Sequence, residues 1–150
     1  MKRILAVLFL ICSFSAAKDE FYEHDIASAL ESKFAKKYLL KDISLQFSKQ
    51  TDEELESVKS QRRSNKYRAV EENSFGDSVK DPREDNYKES CEYVFVKVLV
   101  DLQTAAKNAG KNSVVNIQGN FKDKLLDSKD KFQCVVGNMA TAVALKANLK

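Results

Sequence analysis

The feature that most constrains this chain is an apolar segment of twenty residues, from Cys91 to Gly110. Its alternating valines at positions 94, 96, 98 and 100 favour a β-strand, because β-branched side chains suit a pleated surface. A competing helical stripe, at spacings of four and three, consists of Cys91, Phe95, Val98, Leu102, Ala105 and Ala109. Only a helix explains why the pattern continues through the alanines and stops at Gly110. We therefore predict a long helix, and its narrow polar stripe predicts burial against a sheet.

Residues 1–17 have the organisation of a secretory signal peptide. Two basic residues precede an unbroken apolar run that ends at Cys12. Ser15 and Ala17 then place small residues where a signal peptidase requires them. The leader predicts export to the periplasm, with cleavage after Ala17.

Two alternatives exist for this leader. A membrane-spanning anchor needs roughly 20 apolar residues, whereas this run is shorter and charged residues follow from Lys18 onward. A lipoprotein signal would acylate Cys12, but bulky Ile11 occupies the preceding position, where such signals carry a small residue. We keep the lipoprotein signal as the less favoured alternative and expect no stable membrane insertion after cleavage.

Cleavage changes the charge balance. The full chain has 25 basic and 22 acidic residues, and the leader contains two of the basic ones and none of the acidic ones. About 133 residues remain with a net charge of +1, enough for one domain at 18–150 with a single core. This balance gives no indication of a nucleic-acid or anionic-membrane partner, because each requires a concentrated positive face.

Cleavage also removes Cys12 and leaves two cysteines, Cys91 and Cys134. An even pair in an exported protein predicts a disulfide. A redox or metal-binding pair is the alternative, but the CxxC spacing is missing and no histidine lies nearby in the sequence. The prediction is a structural disulfide.

Charged segments surround the remaining elements of the N-terminal half. Helical spacing predicts a short amphipathic helix within 18–40, preceded by His24, which we expect to be exposed; a metal role would require Glu23 or Asp25 as further ligands. The alternation of ISLQF at 43–47 predicts a strand. The polar run at 49–66 predicts a solvated loop or a short surface helix, tolerant of cleavage.

Two alternatives within that polar run assign it a function. Arg62, Arg63 and Lys66 would form an anion-binding patch, although neighbouring acids cancel its field. The carboxylates of Asp52 and Glu56 would do acid–base chemistry, although a solvated surface is the commoner explanation for such a run.

The elements on either side of the long helix complete the prediction. A second strand is predicted from Tyr67 to Val70, and a capping box with proline places the start of the helix near Pro82. Further strands are expected at 113–117 and 132–136, joined by a polar hairpin connection, and then one long bent strand with Gly137 as a bulge. The predicted fold class is α+β, with a long central helix on a small, mostly antiparallel sheet and a short N-terminal helix.

The segment LQTAAKNAGKNSVVNIQGNF, followed by FQC and VVGNMATAVALK, resembles a family of small exported bacterial proteins that are often labelled "excinuclease ATPase subunit". The likeness covers roughly residues 24–147 and is strongest from Cys91 onward. More distantly, the helix followed by VVNI is similar to YbjQ-type domains and to the periplasmic domain of the stress-sensing lipoprotein RcsF. The resemblance implies an α+β sandwich in which a disulfide ties helix to sheet.

The residues do not support the ATPase label of that family. A P-loop needs GxxxxGK followed by Ser or Thr, whereas Gly110 and Lys111 are followed by Asn112, and Ala105 stands where the first glycine is required. A serine or cysteine hydrolase needs a general base beside its nucleophile, and His24 is the sole histidine of the chain. We predict no enzymatic activity, no catalytic residues, no cofactor and no metal.

The resemblance to RcsF implies a role in protein interaction or envelope stress, with another envelope protein as partner. The alternative is a periplasmic carrier for a small ligand or a metal, as implied by the heavy-metal label sometimes attached to YbjQ-type domains.

Overall fold

The structure is a computed structural model that describes residues 19–67 and 81–150. The predicted signal peptide and its cleavage site lie outside the described residues. Most of the strand predicted from Tyr67 to Val70 also lies outside them, and Tyr67 itself is in a turn. Across the described ranges, no helix is long and apolar enough to cross a membrane.

The described part of the chain forms three helices and seven strands. The helices are α1 (Ile26–Glu31), α2 (Lys33–Tyr38) and α3 (Lys88–Asn108). The strands are β1 (Glu20–Asp25), β2 (Ser44–Phe47), β3 (Glu56–Asn65), β4 (Ser113–Phe121), β5 (Lys124–Leu126), β6 (Lys131–Val136) and β7 (Ala140–Leu149).

The long strand β7 lies at the centre of one sheet. The strand order is β1-β6-β7-β4-β2, with β3 paired to β7 and β5 paired to β4. The pairing of β2 with β4 is parallel, and the other pairings in the described chain are antiparallel. The predicted α+β class and the long helix are confirmed, but the sheet is mixed and, with seven strands, larger than predicted.

Helix α3 packs on one face of this sheet, here called the inner face. Its buried residues continue around most of its circumference, as the narrow polar stripe predicted. The ring of Phe95 stacks on Phe132 of β6 with 4.0 Å between centroids, and Phe47 of β2 stacks on Phe95 at 6.1 Å. Because burying a side chain of this size contributes about 1.5–3 kcal/mol, this aromatic stack is a main contact between helix and sheet.

The C-terminus of α3 ends as the sequence predicts. Gly110 adopts a left-handed φ of 69°. Its N–H donates to the carbonyl of Lys107 at 3.1 Å, and the N–H of Lys111 donates to the carbonyl of Ala106 at 2.8 Å. These two bonds satisfy carbonyls that the last helical turn leaves without partners.

The predicted helix start near Pro82 is wrong. The carboxylate of Asp81 accepts a hydrogen bond from the N–H of Arg83 at 2.9 Å, which closes a local turn instead of capping a helix. Asn86 and Tyr87 then adopt left-handed φ values of 50° and 56°. Because right-handed helical backbone cannot continue through such residues, α3 begins only at Lys88.

The prediction of a loop or surface helix at 49–66 is also wrong for most of its length. The ten residues of β3 pair with β7 from Glu56 opposite Leu149 to Asn65 opposite Ala140. Val58 is the only apolar residue in this strand, so the sequence carries almost no alternation to signal it. Pairing with a buried strand, which lies far away in sequence, is what gives this segment its structure.

The N-terminal region contains a strand and two short helices where a single helix was predicted. β1 pairs with β6 from Glu20 opposite Val136 to Asp25 opposite Lys131. Ser32 separates α1 from α2 with an extended backbone, and its hydroxyl accepts the N–H of Ala35 at 3.2 Å. That bond caps the second helix, and the extended backbone of Ser32 ends the first.

The C-terminal strands follow the prediction with three differences, the first of which is the short strand β5 within the predicted polar connection. β4 continues beyond Ile117 to Phe121, with an irregular register around Asn116, whose φ is 53°. Gly137 is part of a tight turn rather than a bulge, because its N–H donates to the carbonyl of Ala140 at 2.9 Å. Strands β6 and β7 therefore form a hairpin.

Candidate functional site

The predicted disulfide between Cys91 and Cys134 is present, with the two sulfurs 2.04 Å apart. It joins the first turn of α3 to the middle of β6, and both residues are fully buried. A disulfide enclosed in this way offers no sulfur to a soluble thiol. It therefore supports the packing of the helix on the sheet.

A broad, open cleft lies between α1 and the start of α3. Its volume is about 540 Å³, within the range of small-molecule sites. The lining is mostly polar and consists of Asp25, Ala27, Ser28, Glu31, Ser32, Lys88 and Glu92. Ligand pockets are usually lined by apolar and aromatic groups, so this cleft suits at most a small charged ligand.

Glu92 is the buried carboxylate of this cleft, with 8% of its surface exposed. Ser28 Oγ donates to Glu92 Oε1 at 2.9 Å, and Lys88 Nζ lies 3.7 Å from the same oxygen. Burial raises the pKa of Glu92 above its ordinary value, whereas Ser28 and Lys88 act in the opposite direction. The sequence analysis missed this group, although a carboxylate beside Cys91 inside an apolar helix was a visible signal.

His24 is buried, contrary to the expectation that it would be exposed; only 9% of its surface is accessible. It lies in β1 opposite Phe132, with 5.6 Å between ring centroids. The imidazole forms a hydrogen bond with the backbone of Asn86. Its Nε2 atom is buried and has no hydrogen-bond partner among the described residues.

The surroundings of His24 disfavour its charged form. Burial lowers its pKa below the ordinary value, the hydrogen bond to Asn86 opposes that shift, and the positive charge of Lys88 adds to it. A metal role shared with Glu23 or Asp25 does not fit β1, because adjacent residues of a strand point to opposite faces. In the described ranges, no group of three or more His, Cys, Asp and Glu side chains is placed to hold a metal ion.

A second feature lies where β1 begins, β3 ends and β6 turns into β7. Phe21, Tyr67 and Met139 expose 50%, 43% and 83% of their surfaces there. Asn65 is paired with Ala140, and the N–H of Lys66 donates to the carbonyl of Met139 at 3.4 Å, so Tyr67 and Met139 are neighbours. These three residues are here called the exposed apolar end.

Phe21 extends this feature onto the outer face of the sheet, the face opposite α3. Its ring meets Phe121 edge-on, with 6.0 Å between centroids. Phe121 belongs to a small buried apolar cluster with Val135, Ala142 and Ala144. The exposed ring of Phe21 therefore stands on a preformed apolar surface.

Two of the polar residues that the sequence suggested as functional are engaged in ion pairs. The guanidinium of Arg62 donates to both carboxylate oxygens of Asp101 on α3, at 2.6 and 2.8 Å, so it is not available as part of an anion-binding patch. Asp52 pairs with Lys49, which lowers the pKa of Asp52, the opposite of what a general acid needs. Glu56 is exposed at the start of β3.

A comparison with protein-family models, with curated protein sequences and with solved structures finds no match for this chain. The functional argument therefore depends on the residues and their geometry.

Proposed function

We propose that this protein is an exported, non-enzymatic domain that acts by binding another protein of the cell envelope. The observation that supports this proposal is the exposed apolar end, where Phe21, Tyr67 and Met139 are exposed at the same end of the sheet. Aromatic residues and methionine are enriched in the cores of protein interfaces. Large apolar side chains that meet on a surface mark interaction sites more often than scattered ones do.

The exposed apolar end is connected to the core through a row of tyrosine rings. Tyr67 packs against the buried Tyr87 with 6.5 Å between centroids, and Tyr87 packs against Tyr22 at 6.3 Å. Tyr22 lies opposite Cys134 in the sheet, one residue pair from Phe21 and Val135. The disulfide therefore stabilises the strands that present the proposed interface, and a preformed surface lowers the entropic cost of binding.

Position-specific photocrosslinking tests this function. A photoreactive amino acid at Met139 is expected to give a protein adduct of defined mass in intact cells of the native host. The same label at Thr104, which is exposed on α3, is the control and is expected to give no such adduct. The crosslinked protein is then purified, and its affinity for the wild type is compared with that for Phe21→Ser and Met139→Asp.

Each variant is expected to weaken binding at least about tenfold, because residues at the centre of an interface often contribute about 2 kcal/mol or more. Circular dichroism establishes that both variants remain folded. The proposal is wrong if labels at 21, 67 and 139 give no adduct beyond the Thr104 control, or if the purified pair binds both variants as tightly as the wild type.

The second candidate is a carrier for a small ligand, favoured by the volume of the cleft beside Glu92. A carrier is expected to show a thermal shift with a small amine or another charged ligand, and Glu92→Gln is expected to remove that shift. The interaction domain is expected to show neither effect.

A further inference from the structure

The structure concentrates lysines where the sequence shows only a balanced charge. Helix α2 exposes Lys33, Lys36 and Lys37, and Lys41 follows it. From α3, Lys97 reaches the same surface, since its Nζ lies 4.7 Å from the ring centroid of Tyr38. Two helices separated by about fifty residues of sequence thus build one basic face.

Tyrosine rings lie among these lysines. The ring of Tyr38 has Lys97 Nζ at 4.7 Å and Lys37 Nζ at 5.2 Å from its centroid. Tyr93 of α3 meets Tyr38 edge-on, with 6.3 Å between centroids, and both tyrosines are half-buried. We call Lys36, Lys37, Lys97, Tyr38 and Tyr93 the lysine–tyrosine face.

The nearby acidic residues form their ion pairs with basic groups outside this face. Glu89 pairs with Lys33 at 2.6 Å, and Asp42 pairs with Lys107 at 3.2 Å. Asp101 forms its ion pair with Arg62, which lowers the pKa of Asp101 most, and Lys97 adds a smaller electrostatic contribution. Among the described residues, no carboxylate forms a salt bridge with Lys36, Lys37, Lys41 or Lys97.

The packing of α2 fixes the orientation of the face. Phe34 turns inward and meets Tyr93 edge-on at 5.2 Å, in a cluster with the buried Ala35 and Val96. Because the apolar side of α2 is occupied by α3, only its lysines and the edge of Tyr38 point outward. The face therefore attracts a negatively charged surface without offering an apolar side chain for deep insertion.

We propose that the lysine–tyrosine face docks this protein on an anionic phospholipid membrane. Lysine is a flexible point charge, which suits a fluid layer of headgroups, whereas arginine is the residue that suits fixed, bidentate partners. The five residues of the face include no arginine, and the nearby Arg62 is already paired with Asp101. Tyrosine is enriched at the level of lipid headgroups. This inference uses a different surface from the exposed apolar end and does not depend on the proposed protein partner.

Co-sedimentation with vesicles tests the proposal. The exported protein, with its N-terminus first established by mass spectrometry, is mixed with phosphatidylcholine vesicles that contain about one-third phosphatidylglycerol or none. Each lysine near an anionic surface strengthens binding roughly fivefold, so we expect at least about tenfold stronger binding to the anionic vesicles. Raising the salt from about 0.05 M to about 0.5 M should remove most of that difference, because it shortens the Debye length.

A matched pair of charge reversals assigns the effect to this face. Lys36→Glu/Lys37→Glu is expected to weaken binding to anionic vesicles at least about tenfold. Lys124→Glu/Lys129→Glu makes the same change in net charge on and beyond β5 and is expected to bind within about twofold of the wild type. The neutral Lys36→Gln/Lys37→Gln variant should bind with a strength between those of the two reversal pairs. It replaces the Lys36→Glu/Lys37→Glu variant if that variant fails to fold.

Two outcomes overturn the proposal. One is binding that does not depend on phosphatidylglycerol. The other is a loss of binding that is equal in the two reversal pairs, since this would show that only the net charge of the chain matters. Failure of the vesicle assay leaves the crosslinking test at Met139 unaffected, so the two proposals fail separately.

Discussion

At the scale of single residues, buried polar side chains decide how the helices connect to the sheet. Gln103 is 1% exposed, and its side chain forms three hydrogen bonds with the link between α2 and β2. Its Oε1 accepts the N–H of Leu40 at 2.9 Å, and its Nε2 donates to the carbonyls of Leu40 and Ile43, each at 2.8 Å. The link carries no regular structure of its own, so this amide satisfies backbone groups that would otherwise be buried without partners.

Replacing Gln103 by leucine is therefore expected to lower the free energy of unfolding by about 2–4 kcal/mol, because three backbone groups lose their partner. Urea denaturation measures this change. Thr104→Ala is the control at the neighbouring exposed position, where the hydroxyl only bonds the helix carbonyl of Val100, and is expected to change stability by less than about 1 kcal/mol. Equal effects of the two substitutions would contradict this role for Gln103.

His24 makes stability depend on pH. Its folded-state pKa is below the ordinary value of 6.5, so below that pH the unfolded chain binds a proton that the native imidazole does not accept. Stability is therefore expected to fall as the pH drops below 6.5 and to be unaffected by this group above it. Lys88 and Lys131 disfavour the charged imidazole and Asp25 favours it. Glu92 has the opposite effect on stability, because its raised pKa favours the native state as the pH falls.

The His24→Phe variant isolates the contribution of His24 to the pH dependence of stability, since it keeps a ring against Phe132 and cannot titrate. Unfolding in urea is measured at about pH 8 and about pH 5 for both proteins. The wild type is expected to lose more stability than the variant on acidification. Identical pH dependence in the two proteins would show that His24 does not contribute.

At the scale of elements, β3 is an edge strand whose stability comes from its partner. Its neighbour β7 contributes Val143, Leu145 and Ala147 to the core, so pairing with β7 orders β3 whatever its own composition. Ser60 lies opposite Leu145, and its hydroxyl donates to Asp101 Oδ2 on α3 at 2.9 Å. The strand is thus stabilised by its pairing with β7 and by its hydrogen bond to α3.

Along an edge strand, alternate N–H groups point to the partner strand, so one of the two variants Ser60→Pro and Gln61→Pro removes a hydrogen bond to β7. That variant is expected to lower the free energy of unfolding by about 2–3 kcal/mol. Ser60→Ala, which removes only the hydroxyl bond to Asp101, is the matched control and should cost about 1 kcal/mol. Thermal and urea unfolding of the three variants test this. If neither proline variant were worse than alanine, the segment would behave as the loop that its polarity suggested.

The disulfide is the covalent contact between α3 and the sheet. Cys91 and Cys134 are separated by 43 positions, so the bridge restricts a long loop in the unfolded chain. The double variant Cys91→Ala/Cys134→Ala is expected to lose about 2–5 kcal/mol of stability. Reductant acting on the unfolded chain, where the bridge is exposed, should lower the unfolding midpoint of the wild type and leave that of the variant unchanged. An effect of reductant on neither protein would contradict a stabilising bridge.

At the scale of the whole molecule, the distribution of charge determines which surface attracts an anionic partner, and the net charge does not. After the predicted cleavage, 23 basic and 22 acidic residues nearly balance. Many acids are nevertheless engaged in local pairs, such as Asp25 with Lys131 and Asp19 with Lys122. The lysines of α2 and Lys97 are consequently concentrated on one side, although the total is close to zero.

The compartment is a prediction for the whole molecule as well. The exported protein is expected to begin at Lys18 and to carry no lipid, because Ser15 and Ala17 fit a signal-peptidase site and Ile11 does not fit a lipoprotein signal. Intact-mass measurement on protein from the native host checks this. A lipid-modified N-terminus at Cys12 would contradict it and would provide a second, stronger membrane attachment.

The sequence by itself determined the parts of this protein that depend on local periodicity. The stripe from Cys91 to Ala109 and the stop at Gly110 predicted α3, and the alternation at 43–47 predicted β2, because each pattern repeats within a few residues. Two cysteines behind a predicted export signal also determined the disulfide. The tertiary structure decided what depends on distant partners: β3 is a strand because it pairs with β7, and His24 is buried because β1 lies beside β6. Lys97 joins the lysines of α2 for the same reason, since only the packing of α2 on α3 brings these side chains together.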